Sequence, residues 1–387
     1  MHTAVLVAFV AAAAFVAYTY AGYPLLLWMG AQVGLRPVHR GSILPEVSVI
    51  LAIHNEEKLI AEKCRNLLAQ EYPQNRLQIV VVSDGSTDGS VEQVRSLQDP
   101  RIRLVEYAPR RGKAWALNTG VAEATGGILV FVDVRQILTP DSIRRLVENF
   151  SDPEVGAVSG ELQLLKEDSE FGQAMGTYWN YEKWIRRTES GIDSLCGVTG
   201  CLWAMRKHLF SPLPEGIILD DVYLPMEVVR QGYRVVFDSR AIAYDRPSKD
   251  SEDEYQRKRR TLLGNYQLLR ASRWILTAED RIRFQFVSHK VCRLLVPFSL
   301  LILLFSSLLL EGPIFRCLFF TQLGFYVLAI CDRLIPTGTP LRKLSSLANF
   351  FLIAHLGAVS GLVLWLLGHK DVWTKAQNYG PQPRDPS

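Results

Sequence analysis

The sequence predicts an α/β domain with a mostly parallel sheet, joined to transmembrane helices at both ends. Two observations lead to this prediction. Between residues 46 and 245, short apolar runs alternate with polar turns and helical segments, the order expected of parallel strands and crossover helices. The two ends of the 387-residue chain instead carry long, nearly uncharged stretches, which concentrate its hydrophobic content of 48%.

The first element is an apolar stretch over residues 3–30, long enough to cross a bilayer, which takes about 20 residues. A signal peptide is disfavoured, because no basic segment precedes the stretch and because it is too long for the apolar part of such a peptide. Three basic residues follow it: Arg36, His39 and Arg40. The positive-inside rule therefore predicts a transmembrane helix over residues 1–30, with the next domain in the cytoplasm.

Four apolar runs after this helix are typical of strands, and each ends in a polar turn. They cover residues 47–53, 79–82, 102–106 and 127–132. Helical periodicity follows the first and third of them, over residues 58–70 and 114–123. This order predicts a cytoplasmic α/β domain over residues 46–260. Ligands of open α/β sheets bind outside the carboxyl ends of the strands, so the polar turns are the first candidates for a site.

Polar side chains stand at or just past these strand ends: Asn55 with Glu56, Asp84, Lys113 and Asp133. Carboxylates can accept from a base N–H or a ribose hydroxyl, and a lysine can meet phosphate charge, so the group suits a nucleotide. Each one alone is explained as well by a solvated loop. The sequence has no GxxxxGK[ST] loop and no GxGxxG after a strand, which argues against an ATPase and a dinucleotide enzyme.

Three later motifs are further candidates for the same site. Gly200 and Cys201 lie in a turn where a substrate could approach the backbone, although the turn could simply precede a strand. Asp220 and Asp221 are adjacent carboxylates that are costly unless solvated, paired or used, and they could also begin a helix over residues 222–231. Residues 256–260 form a dense cationic cluster, which suits either lipid headgroups or a diphosphate leaving group.

Three more apolar stretches close the chain, over residues 294–310, 314–331 and 346–367. Their length and low charge predict about three transmembrane helices within residues 291–368, although one stretch could be re-entrant or lie at the interface. Residues 261–290 mix apolar and basic side chains, which suits an amphipathic segment at the membrane surface as well as a soluble surface helix. A polar tail, residues 369–387, follows.

Charge and cysteine content exclude other classes of protein. The formal net charge of +4 is small for this length, and no basic patch with interleaved aromatic residues suggests a nucleic-acid partner. The six cysteines are scattered without a CxxC pair, which predicts reduced thiols and neither a disulfide framework nor a zinc site.

Taken together in this order and spacing, the motifs resemble those of membrane-integrated family-2 glycosyltransferases. This group includes the cellulose, hyaluronan, chitin-oligosaccharide and poly-N-acetylglucosamine synthases. The resemblance covers about residues 46–265. It rests on residues 55–57, 83–88, 112–118, Asp133, the Gly200-Cys201 turn, Asp220-Asp221 and residues 256–260. It implies a glycosyltransferase A-type fold that binds a nucleotide-sugar beside the membrane.

The resemblance also implies roles for the donor-side residues. Asp84 would bind the nucleotide base, beside the backbone near Asn55 and Glu56, and Lys113 would lie near the nucleotide. Asp133 matches the first carboxylate of the family's D-x-D motif, which meets the ribose and a diphosphate bound to Mg²⁺ or Mn²⁺. Arg135 stands where the second carboxylate would be, so metal dependence is in doubt, and its guanidinium could neutralise phosphate in the metal's place.

On the acceptor side, the resemblance makes Asp221 the general base that deprotonates the acceptor hydroxyl, supported by Asp220. Gln256, Arg257 and Arg259 match the motif Q-Q/R-x-R-W, which closes over the donor and stabilises the departing diphosphate. Arg260 stands where that motif has a tryptophan, which in the family helps to hold the acceptor sugar.

The leading hypothesis is an inverting glycosyltransferase of the inner (plasma) membrane. It would move a sugar from a nucleotide-diphosphate sugar to a growing polysaccharide at the cytoplasmic face, and it could secrete the product. One alternative is a single-addition transferase acting on a lipid-linked acceptor. Another is a catalytically inactive membrane scaffold of a synthase complex, favoured by the missing carboxylate but opposed by Asp221 and the basic cluster. The expected partners are the donor, a glycan or lipid-linked acceptor, the lipid bilayer and other synthase subunits.

Overall fold

The computed structural model of the protein describes residues 2–165, 170–248 and 250–368. The predicted polar tail over residues 369–387 lies outside the described residues.

The centre of the fold is an eight-stranded sheet with the spatial order β3-β2-β1-β4-β7-β6-β8-β5. The strands are β1 (Val47–Ile53), β2 (Leu77–Asp84), β3 (Ile102–Tyr107), β4 (Ile128–Val132), β5 (Ile137–Leu138), β6 (Val155–Leu164), β7 (Leu202–Arg206) and β8 (Arg234–Asp245). The four strands predicted from the sequence correspond to β1 to β4.

The strands β3, β2, β1 and β4 run parallel, as predicted. The sheet is mixed beyond them, because β7 runs antiparallel to both β4 and β6, while β8 is parallel to β6 and β5 is antiparallel to β8. The two reversals at β7 leave β6 and β8 pointing in the same direction as β4. Asp245 at the end of β8 therefore lies at the same edge of the sheet as Asp84 and Asp133.

The described residues form α-helices between the strands and at both ends of the chain. They are α1 (His2–Ala17), α2 (Tyr23–Val33), α3 (Ile60–Leu68), α4 (Ser90–Arg95), α5 (Lys113–Glu123), α6 (Ser142–Glu148), α7 (Glu170–Ile192), α8 (Asp220–Arg230), α9 (Ser251–Ala271), α10 (Arg283–Phe286), α11 (Cys292–Leu309), α12 (Pro313–Ile330) and α13 (Pro340–Leu366). Alternate strand residues point to opposite faces. One face, including Val49 and Leu51, packs against α3 and α6, and the other, including Ile50 and Val80, packs against α5 and α8.

Among the described residues, four helical stretches are long and apolar enough to cross a membrane, judged by length and composition. They are His2–Val33, Arg283–Leu309, Pro313–Ile330 and Pro340–Leu366, and each overlaps one of the predicted spans. They also contact one another. The rings of Phe9 and Phe315 meet edge to face at 5.4 Å, and the Tyr20 hydroxyl lies 2.9 Å from His355 Nε2.

A buried polar network fixes two of these stretches, His2–Val33 and Arg283–Leu309, to helix α7. The Tyr23 hydroxyl of α2 donates to Glu189 Oε1 of α7 at 2.5 Å. The two ring nitrogens of His289 lie 2.9 Å from Glu189 Oε1 and 3.1 Å from Glu182 Oε2. The polar groups are buried together, so separating the helices would leave them unpaired at a high cost. The two apolar stretches and the α/β domain are therefore packed together through α7.

The segment over residues 261–290 consists of several short elements, and its position at a membrane surface stays a prediction. Its first part is the end of α9, and a 3₁₀ turn (Arg273–Leu276) and the short α10 follow. Leu268, Ile275, Ile282 and Phe286 are buried in the main core cluster. Because the chain turns after Ala271, the side chains of Ile275, Ile282 and Phe286 can join that of Leu268 in the core. The basic residues Arg270, Arg273 and Arg283 remain exposed.

Helix α9 lies directly on the last apolar helix, α13, and two glycines of α13 allow this close approach. A Cβ added at Gly357 would lie 3.2 Å from Lys258 Cβ, and one added at Gly361 would lie 2.9 Å from the Leu263 backbone nitrogen. The helix that carries the cationic cluster at residues 256–260 therefore packs against α13, one of the four apolar helical stretches.

We expect Gly361→Val to lower the thermal unfolding midpoint of the detergent-purified protein, because the new side chain overlaps the α9 backbone. Overpacking of this kind costs about 1–3 kcal/mol. Gly324→Val is the matched control, because a Cβ at Gly324 of α12 meets nothing within 4 Å. Equal midpoints for the two variants would show that α9 and α13 are not in contact at this position.

Candidate active site

A cavity of about 920 Å³ opens at the carboxyl edge of the sheet, between the ends of β1, β2 and β4 and the helix α9. Most of the residues predicted to bind substrate line it. They are Asn55, Glu56, Asp84, Lys113, Asp133, Arg135, Gln256, Arg257, Arg259 and Arg260. Residues that are distant in sequence are thus brought together in one site.

The loops after β1 and β2 hold each other in place at the cavity mouth. Asn55 adopts a left-handed conformation with φ of 55°, which asparagine tolerates better than most residues. Its side-chain oxygen accepts from the Thr87 backbone N–H at 2.7 Å, and its own N–H donates to Ser86 Oγ at 3.0 Å. Gly85, with φ of 63°, makes room for the Arg110 backbone. The glycine thus permits close backbone approach, and the segment that approaches is a loop of the protein itself.

Asp84 is 4% exposed and holds the loop that precedes α5. Its Oδ1 accepts from the Arg111 N–H at 2.7 Å and from the Tyr107 hydroxyl at 3.0 Å, and its Oδ2 accepts from the Gly112 N–H at 2.9 Å. Burial and the Asp84 carboxylate together raise the pKa of the Tyr107 hydroxyl above its ordinary value, so it remains a donor. The carboxylate therefore shapes the wall of the cavity, and its contact with a nucleotide base stays a prediction.

Lys113, the first residue of α5, joins the two parts of the site. Its ammonium lies 3.1 Å from Asp133 Oδ1 and 3.4 Å from Asp220 Oδ1. Burial lowers the pKa of Lys113, but the carboxylates of Asp133, Asp220 and Asp221 outweigh burial and raise it above its ordinary value. A charged lysine thus links Asp133 in the cavity wall to Asp220. Asp220 and Asp221 are not among the residues described as lining the cavity.

Asp220 and Asp221 form the start of α8, where the positive end of the helix dipole favours carboxylates. Burial and the neighbouring Asp220 raise the pKa of Asp221 to about 6, and the charges of Lys113, Lys290 and Arg186 partly offset them. A carboxylate with such a pKa is a stronger base than a solvated one and is still largely ionised at neutral pH. This is the property that a general base requires.

The two residues of the turn, Gly200 and Cys201, lie in different surroundings. Gly200 faces Asp221, and a Cβ at Gly200 would lie 3.0 Å from Asp221 Oδ2, so the missing side chain leaves room beside this carboxylate. Cys201 is instead buried in the core cluster on the opposite face of the sheet. The structure therefore places Gly200 beside the candidate base and does not bring the Cys201 side chain into the site.

The basic residues of α9 are directed to two sides. Glu254 is fully buried, pairs with Arg257 at 2.7 Å and Lys258 at 3.8 Å, and accepts from Ser248 Oγ at 2.7 Å. Lys258 points away from the cavity and lies 4.5 Å from the ring of Tyr178. Arg257, Arg259 and Arg260 line the cavity. Three cations of the cluster thus line the same cavity as Asp133.

Three participants were not predicted from the sequence, namely Arg110, Asp245 and Glu254. Arg110 lines the cavity with its Nε 3.7 Å from Asp84 Oδ2. Asp245 ends an apolar strand, the same signal that marks Asp84 and Asp133. Glu254 stands three and four positions before Arg257 and Lys258, the spacing at which helical ion pairs form. Each signal is present in the sequence, but each is common in ordinary α/β proteins.

The residues at the expected metal position do not form a carboxylate site. Within residues 2–165, 170–248 and 250–368, no group of three or more His, Cys, Asp or Glu side chains is placed to hold a metal ion. The position of the second D-x-D carboxylate is held by Arg135, which pairs with Asp245 at 2.6 Å. The side chains present therefore do not fit a D-x-D metal centre.

Comparison with known proteins agrees with this geometry. Residues 48–213 match the family described as glycosyl transferase family 2. The poly-beta-1,6-N-acetyl-D-glucosamine synthase of Staphylococcus aureus (strain COL) is 25% identical over 207 residues, covering 52% of this chain and 50% of the relative. The synthase of the same name from Staphylococcus epidermidis is 22% identical over 234 residues, covering 59% and 56%. The chain thus matches about half the length of these curated relatives.

A similar solved structure is that of the mannosyltransferase PcManGT from Pyrobaculum calidifontis, in complex with GDP-Man and Mn²⁺. The TM-score is 0.70 at 24% identity, over 94% of this chain and 99% of that chain. This likeness extends beyond the sheet to nearly the whole chain and confirms the predicted glycosyltransferase A-type fold.

Proposed function

Because residues 48–213 match the family described as glycosyl transferase family 2, we propose that this protein is an inverting glycosyltransferase acting at the cytoplasmic face of the inner membrane. It moves a sugar from a nucleotide-diphosphate sugar to a growing polysaccharide. The observation that carries the proposal is the position of Lys113 between Asp133 and Asp220. This one side chain connects a cavity suited to a donor with Asp220, the neighbour of the proposed base Asp221.

The chemistry is a single displacement. Asp221 accepts the proton of the acceptor hydroxyl, and the acceptor oxygen forms a bond to the anomeric carbon of the donor sugar. The bond between that carbon and the diphosphate oxygen breaks on the opposite side, and its electron pair leaves with the nucleoside diphosphate. Lys113 and the arginines of α9 meet the negative charge that develops on the leaving group.

The names of similar proteins suggest which donors to test first. The staphylococcal relatives are named synthases of a polymer of N-acetylglucosamine, and PcManGT was solved with GDP-Man. We therefore propose nucleotide-activated N-acetylglucosamine as the first donor and GDP-mannose as the second.

A second candidate function is the addition of one sugar to a lipid-linked acceptor. Arg260 lines the cavity at the position where the Q-Q/R-x-R-W motif has a tryptophan, and α9 packs against the apolar helix α13. Both features suit an acceptor that is held by the membrane rather than threaded as a polymer. The length of the product separates the two functions, because repeated addition gives a ladder of sizes and single addition gives one.

The orientation of the enzyme in the membrane is part of the proposal. The four apolar helices form the membrane part, and residues 46–245 face the cytoplasm, which would allow a polymer to leave through the bundle. A protease added outside intact cells should leave residues 46–245 uncut, and it should cut them after the cells are lysed. Cleavage in intact cells would contradict this orientation.

The function is tested by release of nucleoside diphosphate from purified protein in nanodiscs, with UDP-N-acetylglucosamine, GDP-mannose and UDP-glucose as donors. We expect release from one donor to exceed the others and to rise when a membrane extract is added as a source of acceptor. No release from any donor and acceptor mixture would favour the scaffold hypothesis.

A further inference from the structure

We infer that the protein binds the diphosphate of its donor with its own cationic side chains rather than through a D-x-D metal centre. The inference rests on the proposed function, because it concerns how the same cavity holds a nucleotide-sugar. It departs from the use of Mg²⁺ or Mn²⁺ that the family resemblance implies.

The first argument is the loop after β4, where a guanidinium has replaced the second carboxylate. Arg135 Nη2 donates to Asp245 Oδ2 at 2.6 Å, and Gln136 Nε2 donates to the same oxygen at 2.8 Å. Asp245 is buried at the end of β8, whereas the Arg135 side chain is 26% exposed and lines the cavity. Asp245 thus holds the guanidinium in a fixed position on the cavity wall, where a divalent cation would meet like charge.

The second argument is the remaining carboxylate, Asp133, which is already paired. Lys113 holds its Oδ1 at 3.1 Å. Behind the loop, the fully buried Lys63 donates to the Gln136 carbonyl at 2.7 Å. The segment from residue 133 to residue 136 therefore lies between two lysines, Lys113 and Lys63, and itself carries Arg135. A metal ion would have to compete with Lys113 for Asp133.

The third argument is the opposite wall, where α9 contributes Arg257, Arg259 and Arg260. Carboxylates also line the cavity, namely Glu56, Glu57, Asp84, Asp88, Glu252 and Asp253. Gln256 donates to Glu252 at 2.6 Å, and Glu252 and Asp253 stand in the first turn of α9. Guanidinium groups bind phosphate oxygens through paired hydrogen bonds, so Arg135 and the α9 arginines can hold a diphosphate between two walls.

The test is calorimetric binding of the nucleoside diphosphate of the preferred donor to the full-length protein in nanodiscs, with EDTA or with Mg²⁺. We expect the two dissociation constants to agree within about threefold, because protein cations supply the diphosphate contacts. Binding that is lost in EDTA and restored by Mg²⁺ or Mn²⁺ would overturn the inference. No binding under either condition, with any of the nucleoside diphosphates UDP and GDP, would instead overturn the proposed function.

Substitutions of Arg135 give the second arm of the test. Arg135→Asp restores the family's two carboxylates, and we expect its affinity in EDTA to fall about 10- to 100-fold, the worth of a charge-assisted hydrogen bond. Arg135→Lys should lose less affinity than Arg135→Asp, since lysine keeps the positive charge but cannot form the paired hydrogen bonds of a guanidinium. Arg103→Asp on the exposed face of β3 is the matched control for the charge reversal.

Electron paramagnetic resonance of Mn²⁺ supplies a readout that does not depend on turnover. We expect the wild type to immobilise no Mn²⁺ beyond the amount that the free nucleotide binds, and Arg135→Asp to immobilise about one ion per chain with the nucleotide present. If the wild type immobilises about one Mn²⁺ per chain, the inference is contradicted. This result stands even if Arg135→Asp fails to fold.

Discussion

Asp221→Asn is expected to lower kcat for sugar transfer by about 10²- to 10⁴-fold, the usual worth of a positioned general base. Asparagine keeps the shape of the side chain and its place at the start of α8, but it cannot accept the proton of the acceptor hydroxyl. Binding of the nucleoside diphosphate should change little, because Asp221 is not among the residues described as lining the donor cavity. The measurement is kcat from single-donor kinetics, together with calorimetric nucleotide binding.

The pH dependence gives an independent check of the same role. The pKa of Asp221 is raised to about 6, so the base is ionised above that pH and becomes protonated below it. Transfer should therefore be constant above about pH 7 and should fall about tenfold per unit below pH 6. A solvated aspartate would place the same decline near its ordinary pKa of about 4.

A second aspartate supplies the control for this profile. Burial raises the pKa of Asp280 to about 6 as well, but Asp280 lies in the segment before α10 and is not among the residues that line the cavity. Asp280→Asn should keep the decline below pH 6. If Asp280→Asn removes the decline, or if Asp221→Asn retains wild-type turnover, Asp221 is not the base.

The parallel half of the fold could be predicted because each of its strands carries a local signal. The runs that became β1 to β4 are apolar, short and followed by polar turns, and the structure ends them within a few residues of the predicted bounds. Asp84 and Asp133 could be placed at one edge for the same reason, since parallel strands end together. The helix predicted over residues 114–123 begins one residue earlier in the structure, at Lys113.

The remaining parts depend on contacts between distant residues. The antiparallel insertion of β7 between β4 and β6 has no local signature, because pairing direction depends on the connections and not on the strand sequence. The burial of Leu268 and Ile282 in the core could not be distinguished from burial in a membrane surface, since both environments select the same side chains. The pairing of Arg135 with Asp245 joins residues 110 positions apart.

The second large effect is expected for Lys113→Met, which removes the cation that Asp133 and Asp220 share. Loss of a preorganised donor for developing charge typically lowers kcat by about 10²- to 10³-fold. The change also leaves the Asp220-Asp221 pair without its nearest counter-charge, which should raise the pKa of Asp221 further. We therefore expect kcat/KM to fall and its acid decline to begin at a higher pH than in the wild type.

Lys58→Met is the matched control, because Lys58 lines the same cavity but is exposed to solvent, which screens its charge. We expect that variant to stay within about threefold of the wild type, and Lys113→Arg, which keeps a cation, to recover part of the loss. The test is kcat/KM between pH 5 and pH 8 for all three variants. If Lys58→Met and Lys113→Met lose activity equally, the cavity needs only net positive charge, and Lys113 has no particular role between donor and base. If only Lys113→Met shifts the acid decline to higher pH, then Lys113 controls the ionisation of Asp221 as well as the charge on the leaving group. This double role would explain why Lys113 contacts both Asp133 in the donor cavity and Asp220 beside the base.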